Sequence, residues 1–173
     1  MSDPRYPIGR LEPASALTPD ERATAIGRIA ALPARLFDAV RGLDGRRLDT
    51  PYRAGGWTVR QVVHHLADSH ANAYVRMKLT ASEHEPVLQA YDENRWAEAA
   101  DAKAPIGDSL LLVQAVHARL ATFLGSLPAA AFARRARHSE DGPKTLDELV
   151  RTYAWHGAHH VAHITSLRAS RGW

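Results

Sequence analysis

The chain has 173 residues, 45% of them hydrophobic, which suits a single domain with its own core and excludes a disordered chain or a small disulfide scaffold. It contains no cysteine, so disulfides, iron–sulfur clusters, cysteine zinc sites and cysteine nucleophiles are excluded, and any metal must be held by His, Asp or Glu. The net charge is only +3, and the one basic cluster, Arg134, Arg135 and Arg137, lacks the interleaved aromatic residues of a nucleic-acid groove. No apolar run is long enough for a signal peptide or a membrane span, so the expectation is a cytoplasmic protein without a membrane partner.

Taken in chain order, residues 1–173 read as one domain with a short N-terminal arm. Thr18-Pro19-Asp20-Glu21 is a helix start: a hydroxyl cap, proline at the first helical position and glutamate where a capping box needs it. The first helix carries an apolar stripe of Ile26, Ile29, Leu32, Leu36, Val40 and Leu43, with a kink expected at Pro33. Gly42 to Gly56 is expected to be irregular. Thr58 with Gln61 caps a second helix, whose stripe of Val62, Leu66, Ala73 and Met77 runs to about Thr80.

Ser82 to Pro105 breaks the pattern and reads as a long surface connection, with room for a short helix in Tyr91 to Glu98. In a helical domain such a connection is more often functional than ornamental. The third helix has the cleanest stripe, Ile106, Leu110, Val113, His117, Leu120, Leu124 and Leu127, and Pro128 ends it. Phe132 to Pro143 reads as loop with a short extended piece near Arg134 to His138, and no run alternates long enough to predict a strand. Thr145 with Glu148 caps a last helix reaching about Ser170. The fold class is therefore all-α: an up-and-down or related four-helix bundle with a long connection between helices two and three.

Ten residues are histidine, and seven lie on the second and last helices: His64, His65, His70, His156, His159, His160 and His163. The inward stripe of the last helix, Leu149, Tyr153, His156, His160, His163 and Leu167, puts three imidazoles where burial without partners is costly. Two histidines four residues apart can aim ring nitrogens at one ion. His156 and His160 have the spacing of a metalloprotease helix, but Gly157 stands where that motif places its glutamate base. A third ligand must come from another helix, and spacing leaves both His64 and His65 open. Asp68, one turn after His65, is a candidate to orient a ligand ring or take a proton, and His163 is a second candidate for proton transfer. His84, His117 and His138 show no partner and read as structural, and Trp57, Trp96, Trp155 and Tyr153 read first as core packing and second as pocket lining.

Three imidazoles with an open fourth position describe a catalytic rather than a structural zinc site. Such a site activates water, which makes a hydrolase, or ionises an incoming thiol, which makes a transferase. A fourth protein ligand would instead close it and leave a non-catalytic metal-binding protein.

Tyr6-Pro7-Ile8-Gly9, Asp49-Thr50-Pro51-Tyr52-Arg53, the block from Gly55-Gly56-Trp57-Thr58 through His64-His65-Leu66-Ala67-Asp68-Ser69-His70, and Trp155-His156 through His159-His160-Val161-Ala162-His163-Ile164 resemble the YfiT-type members of the DinB superfamily. The resemblance covers essentially the whole chain. It implies a four-helix bundle, a homodimer, a small-molecule substrate and one divalent metal per chain, zinc or nickel, held by His65, His156 and His160. The choice of His65 over His64 comes with the resemblance. His163 stands where many members of the broader superfamily carry glutamine, which implies a supporting or proton-transfer role. The resemblance implies metal-dependent hydrolysis, while related bundles act as S-transferases on low-molecular-weight thiols such as bacillithiol, mycothiol or glutathione. Lacking cysteine, this chain would receive such a thiol as a cosubstrate.

Overall fold

The structure, a computed structural model, describes residues 3–12 and 16–173. Four long helices, α1 (Pro19–Val40), α3 (Val59–Ser82), α5 (Gly107–Gly125) and α6 (Leu146–Arg171), form a bundle, with one-turn helices α2 (Gly45–Leu48) and α4 (Glu93–Ala97) in its connections. Thr18, Thr58 and Thr145 each cap a helix by accepting from the backbone N–H three residues on, while Glu21, Gln61 and Glu148 reach back to the cap. These reciprocal bonds satisfy donors that a helix start leaves orphaned. The far end of α6 is closed by Gly172 in the left-handed conformation, φ 66°, where a side chain would be strained. α1 continues through Pro33 as one helix.

The apolar residues fall into two layers along the bundle. One contains Ile29, Met77, Leu120, Leu124, Leu146 and Val150; the other contains Leu36, Val62, Leu66, Val113, Ile164 and Leu167. Followed from N- to C-terminus, α1 and α6 pass from the first layer to the second, whereas α3 and α5 pass from the second to the first. α1 and α6 are therefore parallel neighbours, α3 and α5 are parallel neighbours, and each pair packs antiparallel against the other. The bundle runs up, down, down, up, so the alternating up-and-down order is corrected in favour of the related topology. The long connection follows from this. A 24-residue α3 is about 36 Å long, and a parallel partner can begin only after the chain has travelled back along it.

Two segments are more ordered than the sequence suggests. Gly42 to Gly56 contains α2, capped by Asp44, and a single bridge between Pro51 and Thr58. A small sheet also qualifies the all-α reading: β1 (Val87–Leu88) pairs parallel with β2 (Arg135–His138), which pairs antiparallel with β3 (Gly142–Thr145). β2 coincides with the extended piece expected near Arg134 to His138. Strands this short cannot display a period of two, and the partner of β2 in β1 comes from a segment some fifty residues away, so no local pattern announces them. The sheet covers the first apolar layer through Leu88 and Ala136.

Candidate metal centre

A belt of histidines separates the two apolar layers, with α3 contributing His65 and His70, α5 contributing His117, and α6 contributing His156, His159, His160 and His163. Ring nitrogens of His65, His156 and His160, one from each, all lie within 4.8 Å of one another, as a site that could hold a metal ion requires. The Nε2 atoms of His65 and His156 are 3.2 Å apart. Two nitrogens each about 2.05 Å from a tetrahedral ion stand about 3.3 Å apart, so this spacing is that of two ligands on one metal. His160 Nδ1 is buried without a hydrogen-bond partner, the condition that a bound cation or a rearranged proton relieves. The donor set and the geometry fit a divalent metal.

Burial also disfavours protonation of these rings. It pushes His65 down to about 4, and it holds His156 and His160 well below the ordinary imidazole value, with neighbouring rings adding to the effect. Neutral imidazole is the form that binds metal. Gly157, between the two α6 ligands, faces α1: a Cβ there would lie 2.6 Å from Leu32 Cδ2. A side chain at this position, such as the glutamate of a metalloprotease helix, would have to displace Leu32.

His156 and His160 line a cavity of about 400 Å³ together with Tyr6, Tyr52, Arg53, Trp57, Trp155 and the other histidines of α6. Trp57 lies against the His65 ring, with centroids 4.7 Å apart. His163 stacks on Tyr52 at 4.0 Å and donates from Nε2 to the carbonyl of Arg5, 3.2 Å away, which ties the N-terminal arm over the cavity. A second cavity, about 810 Å³, lies on the other side of His156 and is lined by Arg76, Tyr91, Glu93, His138 and Tyr153 among others. His156 and Glu93 line both.

Among the residues singled out from sequence, the structure brings His65, His156, His160 and His163 to one place. His64 faces away: its Nε2 donates to the Ala104 carbonyl at 3.0 Å and its Nδ1 bonds the Ser109 hydroxyl at 2.7 Å. Asp68 is half-buried, lines neither cavity, and has its carboxyl raised by burial and by nearby Asp101. Trp57 and Trp155 line the first cavity and Tyr153 the second, whereas Trp96 is exposed and packs on Tyr91.

Two histidines read as structural have partners. His138 Nδ1 accepts from the Asp141 backbone N–H in the β2–β3 turn. His117 is fully buried, with Nδ1 2.6 Å from the Ile29 carbonyl and Nε2 2.9 Å from His70 Nδ1. His70 Nε2 lies 3.1 Å from His156 Nδ1. His117 already stood out as a polar residue on the inward stripe of α5, but its partners come from α1 and α3, which that stripe does not reveal.

Comparison with known proteins agrees with this geometry. A protein of Bacillus cereus named "Putative metal-dependent hydrolase" is 45% identical over 173 residues, the full length of both chains, as is one of Bacillus thuringiensis with the same description. YfiT from Bacillus subtilis, described as "a probable metal-dependent hydrolase with an unusual four-helix bundle topology", superposes with a TM-score of 0.95 at 42% identity over 98% of each chain. The four-helix bundle protein TT2238 shares the fold, with a TM-score of 0.57 at 22% identity over 86% of this chain and 98% of its own. The family model of the DinB superfamily matches residues 28–164, and with full-length relatives at this level the chain belongs to the DinB superfamily as a YfiT-like member.

Proposed function

We propose that this chain is a metal-dependent hydrolase of small molecules whose divalent ion, zinc or nickel, is held by His65, His156 and His160. The observation that carries the reading is the ligand count: among the described residues three imidazoles converge and no fourth His, Asp, Glu or Cys joins them. Three protein ligands are the pattern of catalytic zinc, four that of structural zinc. An ion held there supplies Lewis acidity and brings the pKa of water bound to it towards about 7. The aromatic residues of the smaller cavity shield the reacting groups from bulk water, and Arg53 places a positive charge in its wall. His163 is the proton-transfer candidate at the site: Nε2 is committed to the Arg5 carbonyl, and Nδ1, buried and without a partner, is the atom free to take a proton. Asp68 is the more remote candidate.

The test is metal content by mass spectrometry on untagged protein, followed by turnover of ester, amide and phosphoester panels in water alone. The expected result is about one metal per chain, lost in folded His65→Ala and His156→Ala variants. A wild-type chain that takes up neither zinc nor nickel refutes the proposal.

The pair of cavities meeting at His156 favours a second reading. A polar chamber of about 810 Å³ beside an aromatic one of about 400 Å³ offers separate places for two substrates, as a thiol S-transferase requires. In that reaction the thiol loses its proton and its sulfur bonds the electrophile as a leaving group departs. Turnover that begins only when bacillithiol, mycothiol or glutathione is added selects this reading over hydrolysis. A loaded chain inactive with both nucleophiles is a metal-binding protein. The homodimer implied by the resemblance is part of the same proposal, and sedimentation should return about twice the chain mass of 19.0 kDa.

A further inference from the structure

We propose that His70 and His117 are positioning residues for the metal centre: the series from the Ile29 carbonyl through His117 and His70 to His156 dictates which nitrogen of His156 carries hydrogen, leaving Nε2 bare toward the site. One group in the series has a fixed role. A carbonyl oxygen only accepts, so His117 Nδ1, 2.6 Å from Ile29 O, bears the hydrogen. A neutral imidazole has one N–H, so His117 Nε2 is an acceptor and His70 Nδ1, 2.9 Å away, donates to it. His70 Nε2 is then the acceptor, and His156 Nδ1, 3.1 Å away, donates. What remains on His156 is the lone pair of Nε2, the atom 3.2 Å from His65 Nε2.

Neutrality of the series follows from its surroundings. His70 and His117 are fully buried, and among the described residues no carboxylate bonds to either. The buried carboxylate of Asp147 is bonded to Arg22 and to the Leu17 N–H. A cation on these rings would lie between apolar layers without a counter-ion. The edge of the Tyr153 ring against His70, with centroids 5.4 Å apart, adds shape and no charge. The series spans all four long helices, beginning on α1 and passing through α5 and α3 to α6, so the packing of the bundle is transmitted to a single lone pair. A hydrogen bond to the outer nitrogen of a ligand histidine fixes its ring and raises its basicity, and loss of such partners typically weakens metal binding about 10–100-fold.

The affinity arm of the test rests on the metal reading above, whereas the proton-position arm does not. In metal-free wild-type protein with ¹⁵N-labelled histidine, long-range ¹H–¹⁵N correlation should find His117, His70 and His156 all carrying hydrogen on Nδ1. A His156 that carries it on Nε2 overturns the proposal. Zinc and nickel affinities, measured by competition with a chromophoric chelator, should fall about 10–100-fold in His117→Phe. They should return to within a few-fold of wild type in His117→Gln, whose amide keeps a donor for Ile29 and an acceptor for His70. Leu124→Ala, a comparable loosening of α5 outside the series, should leave affinity unchanged. Wild-type affinity in His117→Phe, or an equal loss in Leu124→Ala, overturns the proposal. A wild-type chain that takes up neither metal refutes the functional reading instead, and the position of the His156 hydrogen still decides the series.

Discussion

Acidification should unfold the metal-free protein far more steeply than its overall charge suggests. The belt is built from imidazoles that the native state keeps neutral and the unfolded chain does not. His65 and His159 are both pushed from 6.5 to about 4, His65 by burial alone and His159 by burial and then by His163. Because the folded value is the lower one, the unfolded chain binds more protons between these limits, so stability rises with pH across that window. Each residue contributes fully above about pH 6.5 and loses its contribution as pH falls toward 4. For the deeply buried His65 a displacement of this size corresponds to about 3 kcal/mol, of which about 2 kcal/mol is gone by pH 5; the half-buried His159 contributes less because solvent screens it. The pair together should cost about 3 kcal/mol between pH 7.5 and pH 5, against a typical domain stability of about 5–15 kcal/mol. His70, His156 and His160, also held below the ordinary value by burial, act in the same direction. The assay is urea unfolding followed by circular dichroism at half-unit pH steps with a chelator present, repeated on the His65→Phe, His159→Phe double variant, which should show a shallower slope. A wild-type stability that stays level from pH 7.5 to pH 5 would refute the reasoning.

Three further outcomes are expected. Asp147→Asn should destabilise by about 1.5–3 kcal/mol, because it removes the buried carboxylate that accepts from Nε and Nη2 of the partly buried Arg22, each at 2.7 Å; chemical denaturation measures this. Gly157→Ala should lower stability despite its better helix propensity, since forcing Leu32 aside in a packed core costs about 1–3 kcal/mol against a gain of about 0.5–1 kcal/mol. The same denaturation series checks it. Metal loading should raise the melting temperature at pH 7.5 and lose that effect on acidification, since protons and metal compete for the same ring nitrogens; calorimetry with and without zinc decides.

The helix starts were legible because each is a local chemical device: the three threonine caps and their Glu or Gln partners lie within four residues of one another. The pairing of His156 with His160 was legible for the same reason, since one helix turn joins them. Which helices would neighbour one another was not. An apolar stripe records that a face is buried and not the direction of the helix covering it, so the parallel pairs and the sheet emerge only from packing. The same limit separates the candidate ligands from their supports. His64 and His65 differ by about a hundred degrees of helix rotation, and only the placement of Ala104 and Ser109 shows which way His64 turns. His70 and His117 meet across two helices, and nothing near either in the chain records that meeting.

The path of residues 83–106 has an evolutionary consequence. Parallel neighbours α3 and α5 oblige the chain to retrace the length of the bundle, and Tyr91, Glu93 and Asn94 of that return segment form cavity wall beside the candidate ligand His156. Part of the cavity wall is therefore separate in sequence from the helices that carry the candidate ligands. Insertions, deletions and substitutions in the return segment can reshape that part of the wall while α3 and α6 keep their register, so the chamber can vary without disturbing the histidine cluster.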